Sequence, residues 1–286
     1  IKEANLNRAR DHGGFTEVRA DIRDRIALRS LPDDIDAVIH LAARAGVRPS
    51  IEQPSLYTSV NVDGTVELLE FSRERAIGSF VFASSSSVYG NNEKVPFGED
   101  DRVDRPISPY AATKRAGELL CSSFHHLHGI AVMALRLFTV YGPRQRPDLA
   151  IHKFARLLSE ERPLPVYGSG SSARDYTYID DIVRGIVAAT DFLRTHPSSY
   201  EIVNLGGNRT VPLNEMVEVV SSEMGIEANI QPLPMQPGDV RCTYADVSKA
   251  RRLLGYDPTT DFRAGVRKFV EWFREEGRRL PADAQG

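Results

Sequence analysis

Apolar and polar positions alternate between two textures along the first half of the chain. Short continuous apolar runs at Ala37 to Ala42, Ser79 to Ala83 and Ala131 to Phe138 read as strands buried on both faces of a parallel sheet. Between them, Leu56, Val60, Val66, Leu69 and Phe71 recur at helical spacing within Ser55 to Arg75, and Ile107 to His128 carries a second helical stripe. Upstream, Phe15 to Ala20 reads as a strand and Arg23 to Leu31 as a short helix, after a charged helical or loop stretch from Ile1 to Gly13. This βαβα order predicts an α/β fold: a doubly wound, Rossmann-type parallel sheet with helices on both faces.

Beyond Gly142-Pro143 the elements shorten and Pro and Gly become frequent. Helices are expected near Ala150 to Glu160, Asp180 to Leu193, Leu213 to Met224, Val247 to Leu254 and Phe262 to Gly277. Strands are expected near Arg174 to Tyr178 and Tyr200 to Leu205, with a turn at Tyr167-Gly168-Ser169-Gly170. The pattern predicts a larger domain from residues 1–140 plus about 174–208. A smaller α/β substrate-binding domain from about 141–173 plus 209–286 would cap it, and Pro281 to Gly286 reads as a frayed tail.

Composition narrows the function classes. With 286 residues, 41% hydrophobic and 26% charged, the chain has the profile of a globular protein with a substantial core. A net charge of −3 gives no basic footprint for nucleic acid or an anionic membrane, and no apolar run approaches the ~20 residues of a membrane span. Cys121 and Cys242 are too few for a disulfide framework or a cysteine zinc site, so the expected location is cytoplasmic. His125, His126 and His128 fall at a helix C-terminus, where positive charge suits the dipole, and no metal site is expected. The sequon Asn208-Arg209-Thr210 carries no weight without other signs of secretion.

The chemistry lies between Phe82 and Lys114. A serine-rich strand end, Ser84-Ser85-Ser86-Ser87-Val88-Tyr89-Gly90, precedes a helix that carries Tyr110 and Lys114 at i and i+4, on one face. A phenol has a pKa of about 10 and is a poor base unless its anion is stabilised; a neighbouring ammonium can do so. A shift of ~3 units corresponds to roughly 4 kcal/mol, within reach of an ammonium and a cationic nicotinamide in a dry cleft. Ser85 would orient a substrate alcohol, giving a proton-transfer site coupled to hydride transfer. A Tyr with a Lys four residues on arises readily by chance, and the hydroxyl-rich strand end is what gives the pair meaning.

These segments resemble the Ser-Ser-x-x-Val-Tyr-Gly and Tyr-x-x-x-Lys motifs of the extended short-chain dehydrogenase/reductases, specifically the nucleotide-sugar 4-epimerases, and the resemblance covers nearly the whole chain. It implies NAD as cofactor, a UDP-sugar substrate, and Tyr110, Lys114 and Ser85 as catalytic residues. It also implies cofactor contacts at Asp21 and Ile22, at Leu41, Ala42 and Ala43, at Asn61, and at Tyr110 and Lys114. The family's Gly-x-x-Gly-x-x-Gly loop, which would hold the pyrophosphate at a helix N-terminus, is not in this sequence. Compared with the family, the chain is expected to begin after the first strand, that loop, the first helix and most of the second strand. A homodimer through the helices at 55–75 and 107–128 is implied as well.

In this family the tyrosine takes the proton of the sugar 4-hydroxyl as hydride leaves C4, and the 4-keto sugar turns over before hydride returns. Dehydratases and decarboxylases that start the same way resemble each other in placing Asp-Glu or Ser-Glu after the catalytic hydroxyl. Ser86 and Ser87 stand there instead, which favours epimerisation. The stretch Arg136 to Asp148 resembles the UDP-glucuronate 4-epimerases, which implies sugar contacts at Thr139 and a grip on the C6 carboxylate by Arg146, ahead of Pro147-Asp148. Arg174, in Arg174-Asp175-Tyr176, would meet the diphosphate and Asp239 the uridine ribose; Ser85, Ser86 and Ser87 would line the sugar pocket. The chain departs from the glucuronate pattern at Arg144-Gln145, and its Tyr167 to Gly170 resembles neutral-sugar epimerases. UDP-glucose or UDP-N-acetylglucosamine therefore stands as the alternative substrate. A non-catalytic nucleotide-binding protein of the same fold is the alternative of another class.

Overall fold

A computed structural model describes residues 2–207, 209–234 and 242–276. In chain order the elements are helix α1 (Lys2–Arg10), α2 (Arg25–Arg29), strand β1 (Ala37–His40), α3 (Val47–Glu52), α4 (Pro54–Thr58), α5 (Gly64–Glu74), β2 (Ser79–Ser85), α6 (Pro109–His128), β3 (Ala131–Leu137) and β4 (Thr139–Tyr141). There follow α7 (Ala150–Ser159), β5 (Leu164–Tyr167), β6 (Ala173–Tyr178), α8 (Ile179–Thr195), β7 (Tyr200–Leu205), β8 (Thr210–Pro212), α9 (Leu213–Met224), β9 (Ile230–Leu233), α10 (Ser248–Leu254) and α11 (Phe262–Glu275).

The central sheet is parallel, in the order β1-β2-β3-β7. Its strands are apolar throughout because both faces are covered, and alternation sorts their side chains between two cores. Phe80, Phe82, Val132 and Ala134 face one way, with Leu68, Leu69 and Phe71 of α5 and Cys121 of α6. Val81, Met133, Leu135, Val203 and Leu205 face the other, with Ile182, Ile186 and Ala189 of α8 and Ala250 of α10. This is the doubly wound arrangement that the βαβα pattern predicts.

A third core is built by α7, α9, α11 and β5, around Phe154, Leu158, Val220, Phe269 and Phe273. Two small sheets accompany it, β4-β6-β8 and β5-β9. Strand β6 therefore pairs with β4 and β8 outside the four-stranded sheet, while α8 and β7, which follow it, pack into that sheet.

Several elements differ from the sequence pattern. Phe15 to Ala20 forms no strand: the segment makes no ladder, and Phe15 and Val18 are exposed, because a strand needs a hydrogen-bonded neighbour as well as an apolar pattern. The expected helix from Ser55 to Arg75 is interrupted by a π-turn, Ser59–Asp63, inserted between α4 and α5. The expected strand Ala37 to Ala42 stops at His40, and Leu41 and Ala42 begin an open loop. Among the described residues, no helix is long and apolar enough to cross a membrane.

Candidate active site

The site forms where β2 ends against the start of α6. Strand β2 is buried along its length and delivers Ser84 and Ser85 to the C-terminal edge of the sheet. A 3₁₀ turn, Ser86–Tyr89, then reverses the chain; the Ser85 Oγ accepts from the Ser87 N–H at 3.2 Å. Gly90 closes the turn at φ +57°, and a Cβ there would lie 2.9 Å from the Arg105 carbonyl. Helix α6 opens with Ser108 as N-cap, its Oγ accepting from the Ala111 N–H at 3.1 Å, and with Pro109 as its first residue. The helix starts at Pro109, two residues later than the expected Ile107.

Tyr110 and Lys114 share the face of α6 that overlies β2, but their environments differ. Tyr110 is half-buried; burial raises its phenol above the ordinary value, while a hydrogen bond with Ser85 and the charge of Arg146 act in the opposite direction. Lys114 is buried, donates from Nζ to the Ala83 carbonyl at 2.7 Å and lies 5.1 Å from the centroid of the Phe82 ring. Burial lowers its ammonium to about 8. The Tyr57 ring meets Tyr110 edge-on at 6.3 Å, and the Tyr57 hydroxyl donates to the Ala45 carbonyl at 2.8 Å.

The remaining sequence candidates fall into three groups. Ser86 and Ser87 lie half-exposed in the 3₁₀ turn, beside Ser85. Thr139 is half-buried on β4, opposite Tyr176 of β6. Arg146 is exposed and reaches the site through its charge on Tyr110 and Tyr57; its guanidinium pairs with Asp148 at 2.8 and 3.0 Å. Arg174 is half-buried on β6 and donates to the Ala173 carbonyl at 3.0 Å. Asp239 lies outside the described residues.

At the expected cofactor positions, Leu41 and Ala42 are exposed beyond the end of β1, forming an open apolar ledge beside the site. Asn61 is buried and its amide is spent on the protein: Oδ1 accepts from the Arg44 N–H at 2.7 Å, and Nδ2 donates to the Arg44 carbonyl and the Thr113 Oγ1, each at 3.0 Å. From within the π-turn it tethers the loop after β1 to α6. Asp21 is exposed and bonded to Arg23, which holds its carboxyl down at about 2; Ile22 packs against Gly64. Leu41 and Ala42 are therefore open to a bound group, and Lys114 supplies a buried ammonium one helical turn from Tyr110. Backbone donors for a dinucleotide's pyrophosphate are not among these residues.

Sequence reasoning missed a buried polar network under the site. Glu118 and Arg136, 0% and 1% exposed, pair through two parallel hydrogen bonds of 2.9 and 3.0 Å. Ser84 donates to Glu118 at 2.6 Å, and Arg136 also donates to the Tyr89 hydroxyl, which donates to Asn204. The network ties β2, α6, β3 and β7 together directly below Ser85. Its only signal in the sequence is a charged residue inside each of two apolar segments. Asp175 was also missed; it is buried and accepts from the N–H groups of Gly207 and Ala245, and burial raises it to about 6.

Known proteins extend this picture. The family model described as GDP-mannose 4,6 dehydratase matches residues 2–269. A UDP-glucuronate 4-epimerase of Thermodesulfobacterium geofontis is 41% identical over 96% of this chain and 84% of its own length. Among solved structures, the UDP-glucuronic acid 4-epimerase of Bacillus cereus, in complex with UDP-glucuronic acid and NAD, superposes with a TM-score of 0.88 at 36% identity. That match covers 96% of this chain and 86% of the other. A dTDP-glucose 4,6-dehydratase from Streptomyces venezuelae, with NAD bound, matches with the same TM-score at 30% identity, over 96% and 84% of the two chains.

Proposed function

The chain belongs to the extended short-chain dehydrogenase/reductases matched by the GDP-mannose 4,6 dehydratase model, and from that membership we propose that it is an NAD-dependent UDP-sugar 4-epimerase interconverting UDP-glucuronate and UDP-galacturonate. Backbone similarity does not separate epimerase from dehydratase, since both superpose equally well. The observation that carries the reading is the similarity to UDP-glucuronate 4-epimerases over 96% of the chain, together with the meeting of the end of β2 and the start of α6 that brings Ser85 to the phenol of Tyr110.

Tyr110 takes and returns the proton of the sugar 4-hydroxyl, and Ser85 aligns that hydroxyl with the phenol oxygen. Bound NAD would supply the acceptor and then the donor of the C4 hydride, so the reaction would involve no net redox. Lys114, held against Ala83, keeps a positive charge beneath the helix face that bears Tyr110. Arg146 grips the C6 carboxylate with paired donors, which selects the acid sugar and disfavours loss of carbon dioxide from the 4-keto acid. Ser86 and Ser87 offer hydroxyls to the sugar and no carboxylic acid that would expel the 6-substituent. Arg174 takes the diphosphate. The domain split, with residues 1–140 and about 174–208 holding the cofactor and the remainder holding the nucleotide sugar, belongs to the same reading.

A cytoplasmic homodimer is part of the proposal. Leu119 and Leu127 of α6 are 54% and 69% exposed, an apolar display that supports pairing of α5 and α6 with a second copy. The test of the reaction is proton NMR of NAD-loaded protein with UDP-glucuronate, following the galacturonate anomeric signal. Tyr110→Phe is expected to lower kcat by about 10²- to 10⁴-fold; retained turnover would sink its role. Arg146→Ala is expected to weaken the acid sugar far more than UDP-glucose, and equal losses would move the assignment to a neutral sugar.

A further inference from the structure

The Arg146 fork already holds a carboxylate. Its Nε donates to Asp148 Oδ1 at 3.0 Å and its Nη2 to Oδ2 at 2.8 Å, the planar paired geometry with which an arginine takes any carboxylate. Only Pro147 stands between the two residues in the chain. Both are exposed, 45% for Arg146 and 60% for Asp148, so the pair contributes little to the fold. It is nonetheless next to the chemistry. Both charges act on Tyr57, whose ring meets that of Tyr110, and the charge of Arg146 acts on Tyr110 itself.

Resting on the reading above, in which Arg146 takes the C6 carboxylate of the sugar, we propose that Asp148 is the resident occupant of that fork and is displaced by the substrate. Binding of the acid sugar is then an exchange of one carboxylate for another. The exchange keeps the positive charge beside Tyr110 compensated to the same degree before and after binding. It also makes selectivity a difference between two carboxylates competing for one guanidinium, so Asp148 reduces affinity for acid sugars and limits trapping of a product that carries the same group. A neutral sugar leaves the pair intact and neither gains nor loses by it. If Asp148 served instead to hold Arg146 ready for the substrate, removing it would weaken acid-sugar binding, the opposite sign.

The measurement is calorimetric titration of NAD-loaded protein with UDP-glucuronate, UDP-glucose and UDP. It is made in a Tyr110→Phe background so that the sugar does not turn over. Asp148→Asn, nearly isosteric on an exposed side chain, is expected to tighten UDP-glucuronate by about two- to fivefold, the worth of an exposed ion pair, and to leave UDP and UDP-glucose unchanged. Asp148→Ala is expected to act in the same direction. Unchanged or weaker binding of UDP-glucuronate overturns the competitor role, as does equal tightening of all three ligands. An Arg146→Ala arm separates this from the underlying reading: selective loss of UDP-glucuronate keeps the carboxylate assignment whatever Asp148 does, and equal loss of both sugars removes it.

Discussion

Gly117 tests how closely the helix that carries Tyr110 and Lys114 must lie on its strand. A Cβ at this position would stand 2.3, 2.9 and 3.0 Å from three ring carbons of Phe82, which is 1% exposed on β2. To regain a normal separation of about 3.5 Å, the ring or the helix has to move by more than about 1 Å. The ring has little room, with His40 at 5.7 Å on one side and the Lys114 ammonium at 5.1 Å. Overpacking of this kind costs about 1–3 kcal/mol, and three simultaneous contacts put Gly117→Ala in the upper half of that range. Better helix propensity returns up to ~1 kcal/mol, leaving a net loss of about 1–2 kcal/mol. For a chain of this size that lowers Tm by roughly 2–8 °C. Because the helix moves away from Ser85, kcat is expected to fall by up to ~10²-fold, more than the stability loss explains. Scanning calorimetry and initial rates check both. Gly13→Ala, with no atom within 4 Å of the new methyl, serves as control and is expected to stay within about 0.5 kcal/mol. A higher Tm for Gly117→Ala, as propensity alone would give, refutes the close contact.

Two further outcomes follow from the buried charges. Glu118→Gln leaves the Arg136 guanidinium in the core without its counter-charge and is expected to cost about 3–5 kcal/mol in chemical denaturation, whereas replacing both partners by Leu and Met is expected to cost much less. Asp175 has a folded pKa of about 6, above the unfolded value, so its contribution is complete below about pH 4 and is lost as pH rises to 6. Relative to Asp175→Asn, the wild type should lose up to about 3 kcal/mol over that window; a flat difference would show that the hydrogen bonds to Asp175 from Gly207, Ala245 and the Thr177 hydroxyl offset its burial.

Legibility from the sequence followed the range of the interaction. Strands β1, β2, β3 and β7 and the helices α5, α6 and α8 are readable because continuous apolar runs and helical stripes are local signals, as is the i to i+4 spacing of Tyr110 and Lys114. The Ser108 cap and Pro109 mark the start of α6 equally well. The missed features depend on partners far apart in the chain: Glu118 with Arg136, Tyr89 with Asn204, and Asp175 with the backbone of Gly207 and Ala245. Phe15 to Ala20 shows the converse failure, a strand-like pattern with no neighbour to pair with. The family resemblance makes Asn61 a cofactor contact, but only the structure shows that its amide is already committed to Arg44 and Thr113.

The same distinction changes the electrostatics expected of the site. Helical spacing alone makes Lys114 the obvious cation for the Tyr110 phenolate. In the fold Lys114 is turned inward onto the Ala83 carbonyl, with its own pKa brought down to about 8, and Arg146, thirty-six residues on in the chain, adds its charge at Tyr110. Arg146 is also the side chain that reads the sugar in the proposed reaction. A substrate carboxylate that approached a bare Arg146 would strip the tyrosine of this support at the moment the support is needed. With Asp148 already on the fork the support is partly compensated from the start, and the arriving carboxylate changes it little. Selection of the acid sugar and activation of the base can then share one arginine without working against each other.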